Sequence, residues 1–171
     1  DFYNFSDLGN NKFGFGVADV SGKGIKSSLL MSKASSLYRC LSKTIFSASS
    51  LLKILNDEIC ETTSRGMFVT MIVGVYDKNK NELLLANAGH EPPLIFSKDG
   101  NFKTIDEAGP PLGIAPNFKF AEQIISFKES SMYIFTDGIT EMKNNNGEML
   151  GQEGFQDYIK KYQTTPNNKR L

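Results

Sequence analysis

"FGFGVADVSGKGIKSS", residues 13–28, changes character twice. Phe13, Phe15 and Val17 alternate with Gly14, Gly16 and Ala18. That period of two predicts a strand with one bulky face and one face of small residues, against which another layer can approach closely. From Ile25 the period changes: Leu30, Ala34, Leu37 and Leu41 step by four, three and four, the stripe of an amphipathic helix. Ser21 or the glycines after it opens that helix. Asp19 stands where the apolar run ends, and Gly22-Lys23-Gly24 follows it. The fold is decided by this strand running into this helix. The chemistry turns on what the carboxylate and the glycines between them do.

Further along, "SASSLLKILNDEICETT" repeats the helical sign, with Leu51 or Leu52, Leu55 and Ile59 as its stripe and Ser47 or Ser49 as its cap. "MFVTMIVGVYD" is bulky throughout, as a strand buried on both faces would be. "DKNKN" turns the chain and "ELLLANAG" returns it. "PLIFS", the turn "KDGN" and "FKTID" read as a hairpin. "FKFAEQIISF" and "SMYIFTD" supply two more strands, and Phe155, Tyr158, Ile159 and Tyr162 mark a closing helix. Helices and strands are segregated, which predicts an α+β fold and not a parallel βαβ repeat. With about eight strands, the layout expected is a β-sandwich of two mainly antiparallel sheets flanked by helices, four layers in the order α-β-β-α.

The chain of 171 residues is long enough for one cored domain, and residues 1–171 are read as a single domain. Its ends, "DFYNF" and "TTPNNKRL", look cut, so the domain is expected to be truncated at both ends and to be a fragment of a longer regulatory protein. Lys+Arg and Asp+Glu are both 19, which argues against binding nucleic acid or anionic membrane through bulk charge. No apolar run reaches the length of a membrane helix, so no membrane insertion by this segment is expected. No leader is evident. Cys40 and Cys60 sit in helical patterns and read as buried or free thiols of a reducing, cytoplasmic compartment.

Several chemistries fail on spacing. A Walker loop needs a glycine five residues before Gly22 and a hydroxyl residue after Lys23; the chain has Val17 and Gly24. A dinucleotide loop starting at Gly14 would place Asp19 where its last glycine belongs, facing a pyrophosphate of like charge. In "CETTSRG", Arg65 comes one residue early for a cysteine phosphatase loop, so Cys60 reads as a helix-face residue. A serine triad would have to use His90, the one histidine, without the G-x-S-x-G elbow.

Acidic residues at strand ends remain. Asp19 and Asp137 each follow an apolar strand and precede turn-forming residues. Either is a turn residue, since Asp-Gly is a common turn pair, or the two hold a hard cation such as Mg²⁺ or Mn²⁺ through oxygen.

"DFYNF", "VADVSGKGIKSSLLMSKA", "MFVTMIVGVYD", "LLLANAGHEPPLI", "GPPLGI" and "YIFTDGITEMKNNNGEMLG" occur in an order that resembles the bacterial PPM-type serine/threonine phosphatases of the SpoIIE/RsbU-like branch, over residues 1 to about 155. The resemblance implies a β-sandwich flanked by helices. The activity it implies is that of a hydrolase cleaving phosphoserine or phosphothreonine with water activated at two Mn²⁺ or Mg²⁺ ions. Asp1 matches the first family aspartate, whose Gly-Gly prefix would precede this chain. Asp19 matches the aspartate that bridges both metals. Val20 matches the position offering its carbonyl through water, and Asp137 the aspartate of Thr-Asp-Gly. By this match Asp19 and Asp137 are the catalytic pair, held to the metals with Asp1 and Val20.

Beside these, Lys23 reads as a solvated lysine or as a contact to the substrate phosphate. Ser21 reads as a helix cap and not a nucleophile, and Glu141, four after Asp137, as a surface residue or as one near the site on the following turn. His90 lies within the family motif "NAGHEPP", reads as a structural histidine or a proton donor, and has no role derivable from the sequence. The resemblance also implies a phosphorylated partner of the anti-sigma-factor-antagonist type, hence sigma factor regulation, and control by a sensor domain through a homodimer. The family's C-terminal Asp-Asp pair is not in this sequence. That motivates an alternative: a non-catalytic module that keeps the phosphatase fold and binds a partner.

Overall fold

The computed structural model describes residues 1–62, 66–163 and 165. They form two compact units, one of Asp1–Pro92 with Asp106–Lys128, the other of Pro93–Ile105 with Glu129–Leu171. The first holds β1 (Phe2–Asp7), β2 (Lys12–Val20), α1 (Ile25–Leu41), α2 (Ala48–Thr62), β3 (Val69–Asp77), β4 (Glu82–Ala88) and β7 (Gln123–Ser126). The second holds β5 (Leu94–Ser97), β6 (Phe102–Thr104), β8 (Ser130–Tyr133), α3 (Asp137–Thr140) and α4 (Gly151–Lys161). Both sheets are antiparallel, in the orders β1-β2-β3-β4-β7 and β6-β5-β8. This is the α+β class that segregated helices and strands predict.

The small face of β2 does what its alternation implies. Gly14, Gly16, Ala18 and Val20 are buried, and α1 packs on β1 and β2. A β-carbon at Gly16 would sit 2.8 Å from the ring of Tyr38, so the absence of a side chain there lets the helix close on the sheet. The buried stripe of α1 is Ser27, Leu30, Ala34 and Tyr38. Tyr38 takes the place that the sequence pattern gives to Leu37, which is only partly buried. Burial of the Tyr38 phenol raises its pKa.

α2 packs on β3 and β4 and buries Leu51, Leu52, Leu55 and Ile59, each contributing about 1.5–3 kcal/mol of transfer free energy. Ser47 caps it, accepting the Ser50 N–H at 3.2 Å. Glu122, just before β7, adds a second cap by accepting the Ser49 N–H at 3.0 Å. As the bulk of its side chains predicts, β3 is buried on both faces from Met71 to Val75.

The loop after β6 is fastened to α2. Asn56, only 1% exposed, accepts the Gly113 N–H at 3.0 Å and donates to the Ala115 carbonyl at 2.8 Å. Asp57 accepts the Asn117 N–H at 2.9 Å and pairs with Lys53 at 2.6 Å. Through the same loop, Leu112 and Val69 exchange both main-chain hydrogen bonds, at 3.0 and 2.8 Å. The start of β3 is thereby tied to the middle of α2.

In the second unit, Leu94, Phe96, Phe135 and Ile159 form the core, with Phe155 edge-on to Phe135 at 5.0 Å. β1 and the single-turn α3 have no counterpart in the sequence expectations. Both cysteines are free, Cys40 exposed and Cys60 on a face of α2; Arg65, the arginine of the "CETTSRG" spacing, lies outside the described residues. Among the described residues no helix is long and apolar enough to cross a membrane.

Two measurements test this packing. Gly16→Val forces Tyr38 to move, and urea unfolding is expected to show a loss of about 1–3 kcal/mol, partly recovered when Tyr38 is shortened to Leu. The second concerns Asp57, whose carboxyl is held below the ordinary carboxylate range by the Lys53 ammonium and then by the Asn117 N–H. A depressed carboxyl adds stability that is present above the unfolded-chain pKa and is lost as pH falls through the folded value. Asp57→Asn is therefore expected to lower the Tm at pH 7, with the deficit shrinking below about pH 4. Melting curves from pH 7 to pH 2 check the trend.

Candidate functional site

β2 delivers Asp19 to the open end of its strand. Ala18 and Val20 point into the core, so Asp19 between them points the other way, and its side chain is 33% exposed. β1 runs antiparallel beside it, with Phe2 opposite Ala18. That register brings the main-chain nitrogen of Asp1 to 3.9 Å from Asp19 Oδ1, with the Asp1 side chain 56% exposed. Asp1, Asp19 and Val20 therefore meet at one end of the β1–β2 pair.

The turn behind them is built by glycines. Gly22 and Gly24 have φ of 79° and 88°, a left-handed backbone that side chains resist. Gly24 is the N-cap of α1, and no side chain caps that helix. Ser21 is thus not the helix cap that the sequence suggests. Its N–H donates to the Phe68 carbonyl at 3.0 Å, and its hydroxyl accepts the Phe68 N–H at 2.9 Å. Ser27, buried in the first turn of α1, donates to the Ser21 carbonyl at 3.0 Å. Lys23 is exposed at the tip.

On the other side of β2, Thr70 of β3 stands opposite Asp19. Its Oγ1 lies 3.4 Å from the Asp19 carbonyl and 3.1 Å from His90 Nδ1. His90 is 4% exposed, and its main chain is closed onto Asn87 by two hydrogen bonds, at 2.8 and 3.0 Å. Sequence reasoning missed Thr70 and Asn87. The signal was there: a hydroxyl in "FVTMIV" and an amide in "LLLANAG", each inside an apolar strand.

Asp137 belongs to the second unit, where it is the exposed first residue of α3. Thr136 is the N-cap in extended conformation, and Thr140 Oγ1 donates to the Asp137 carbonyl at 3.2 Å. Glu141 follows α3 and is exposed, as expected. Among the described residues no three His, Cys, Asp or Glu side chains gather in a metal-binding group. The donors at the end of β1 and β2 are nevertheless of the right chemistry. They are carboxylates open to water, and Mg²⁺ is commonly held by one or two carboxylates with waters filling its shell.

The fold has solved counterparts. Over 99% of this chain and 68% of the other, it superposes on the SiaA-PP2C domain of Pseudomonas aeruginosa with a TM-score of 0.84 at 15% identity. RsbX, solved in complex with magnesium, matches over 95% of this chain and 80% of its own with a TM-score of 0.67 at 15% identity. Likeness at such identities defines a PP2C-type fold. The family follows from the sequence: residues 9–170 match the model of Stage II sporulation protein E (SpoIIE), and the chain belongs to that family. It is also 32% identical over 149 residues to the phosphoserine phosphatase RsbU of Bacillus subtilis (strain 168), covering 86% of this chain and 44% of RsbU. The chain therefore spans less than half the length of that relative.

Ser21→Ala leaves the half-buried Phe68 N–H without its acceptor. Denaturant unfolding is expected to show a loss of about 1–3 kcal/mol, and Ser21→Thr, which keeps the hydroxyl, is expected to lose less.

Proposed function

We propose that this chain is the catalytic domain of a longer regulatory protein and hydrolyses phosphoserine or phosphothreonine on a protein substrate with the help of divalent metal. One observation carries the reading: the Asp19 carboxylate stands open to water at the end of β2, beside the Asp1 main chain. The likeness to a phosphoserine phosphatase over 86% of the chain supports the class of substrate.

On this reading Asp1 and Asp19 would hold Mg²⁺ or Mn²⁺ through oxygen, with the Val20 carbonyl contributing through water; Asp137 is the further ligand that the family resemblance implies, and two ions are expected. Bound there, divalent cations supply Lewis acidity toward a phosphoryl oxygen and toward water. The protein's part is positional. The β2 ladder fixes Asp19, and the left-handed turn at Gly22 and Gly24 presents Lys23, a cation exposed where a substrate phosphate would arrive. No protein nucleophile is required, which agrees with the use of the Ser21 hydroxyl as an acceptor for Phe68.

The substrate proposed is a phosphorylated regulatory protein of the anti-sigma-factor-antagonist type, in the cytoplasm, with the enzyme working as a homodimer. Formal charge balanced at zero argues against nucleic acid as a partner bound through bulk charge.

The test is hydrolysis of a phosphoserine peptide by the protein in its full length with Mn²⁺, beside Asp19→Asn. The variant is expected to lose about a hundredfold or more in kcat, and a chelator to abolish the wild-type rate. Equal rates in the two proteins overturn the proposal and favour a partner-binding module.

A further inference from the structure

Thr70 and His90 form a partly buried polar path from the NAGH turn to the main chain of Asp19. A hydroxyl carries one hydrogen and can also accept. If Thr70 Oγ1 donates that hydrogen to the Asp19 carbonyl at 3.4 Å, its 3.1 Å contact with His90 Nδ1 requires the ring nitrogen to be the donor. The donors then run in one direction, from the imidazole to Thr70 and from Thr70 to the carbonyl.

The ring is held at its base. The His90 N–H donates to Asn87 Oδ1 and Asn87 Nδ2 donates back to the His90 carbonyl. The Asn87 carbonyl accepts the Gly109 N–H at 2.8 Å. Between them, Gly89 has φ of 69°, and a β-carbon there would meet Pro111 at 2.7 Å. The turn therefore lies close against Pro111, with no space for a side chain at position 89. All of these residues lie in the first unit.

The Asp19 carbonyl belongs to the Asp19–Val20 peptide plane. Rotation of that plane re-aims both the Asp19 side chain and the Val20 carbonyl. β2 ends at Val20, with Asp19 opposite Thr70 before it and the Ser21 N–H bonded to the Phe68 carbonyl after it, so the plane sits at the last step of the β2–β3 pairing. The Thr70 side chain adds a second contact onto that carbonyl, beside the main-chain pairing. At position 70, between Val69 and Met71, an apolar side chain would suit the strand as well and would leave the plane to the main-chain pairing alone.

We infer that Thr70 and His90 are positioning residues that fix the Asp19–Val20 peptide for cation binding, with His90 Nδ1 protonated and donating to Thr70. This rests on the metal-dependent reading proposed above. Partners that orient metal ligands from behind typically change affinity 10- to 100-fold when removed.

The chain contains one histidine, so ¹⁵N-histidine labelling gives one pair of ring signals. In the wild type those signals should report a protonated Nδ1. Thr70→Val should shift the Val20 amide ¹⁵N resonance and raise the Kd for Mg²⁺ by about tenfold or more. Thr70→Ser should restore both. His90→Asn, which places an N–H donor near Nδ1, should lie closer to wild type than His90→Leu. An unprotonated Nδ1 in the wild type overturns the inference without any variant having to fold. So does a folded Thr70→Val with wild-type Val20 shift and Mg²⁺ affinity. Asp19→Asn separates the two levels. Retained Mg²⁺ affinity in Asp19→Asn sinks the metal reading and this inference with it. Loss of affinity there, with none in Thr70→Val, sinks this inference alone.

Discussion

The ring of Tyr38 lies where a β-carbon of Gly16 would be, and the arrangement of the first unit depends on that contact. With any larger residue at Gly16, α1 would ride higher on β1 and β2. The loop between β2 and α1 runs only from Ser21 to Gly24, so a lifted helix would pull directly on Asp19 and Val20. The glycine face of β2 therefore acts at a distance of only a few residues on the carboxylate at the strand's end. Interiors packed to crystal-like density pass such displacements on and do not absorb them.

A second set of bonds holds the neighbouring strand. Val69 pairs with Val20 on one side and exchanges hydrogen bonds with Leu112 on the other. Leu112 belongs to the loop that Asn56 and Asp57 of α2 secure. Ser21 and Phe68 close the same corner. Asp19 is thus framed by α1 through the glycine turn, by α2 through the loop carrying Leu112, and by the NAGH turn through Thr70. Most of these bonds join main chain to buried or half-buried side chains, which is how a polar corner remains ordered where a sheet ladder runs out.

What the sequence made legible follows from periodicity. β2 and β3 show it plainly: a glycine face alternating with bulk fits only a strand under a close layer, and continuous bulk fits a strand covered on both sides. β1 escaped because its pattern is inverted: Tyr3 and Phe5 are exposed at 77% and 76%, while Asn4 and Ser6 are half-buried. An alternation rule that places apolar residues inward cannot find such a strand. Tyr38 escaped for a related reason, because a tyrosine is an ambiguous member of a helical stripe and its neighbour Leu37 is an obvious one. Asp19 stood out by its place at the end of an apolar run. Thr70, Asn87 and Ser27 did not, because short polar side chains inside apolar runs acquire meaning only when pairing shows what they face.

Asp1 and Asp19 differ in how firmly their strands are held. β2 is hydrogen-bonded on both sides, whereas β1 is an edge strand resting on β2. Edge segments open locally at lower free energy than central ones. Occupancy of a site that needs both residues is then coupled to the docking of β1: whatever loosens that strand weakens the site while leaving Asp19 in place. By the same linkage, a ligand bridging the two slows the opening of β1 and protects its amides from exchange. The edge of the sheet becomes a point where the cell could adjust the proposed site without touching Asp19.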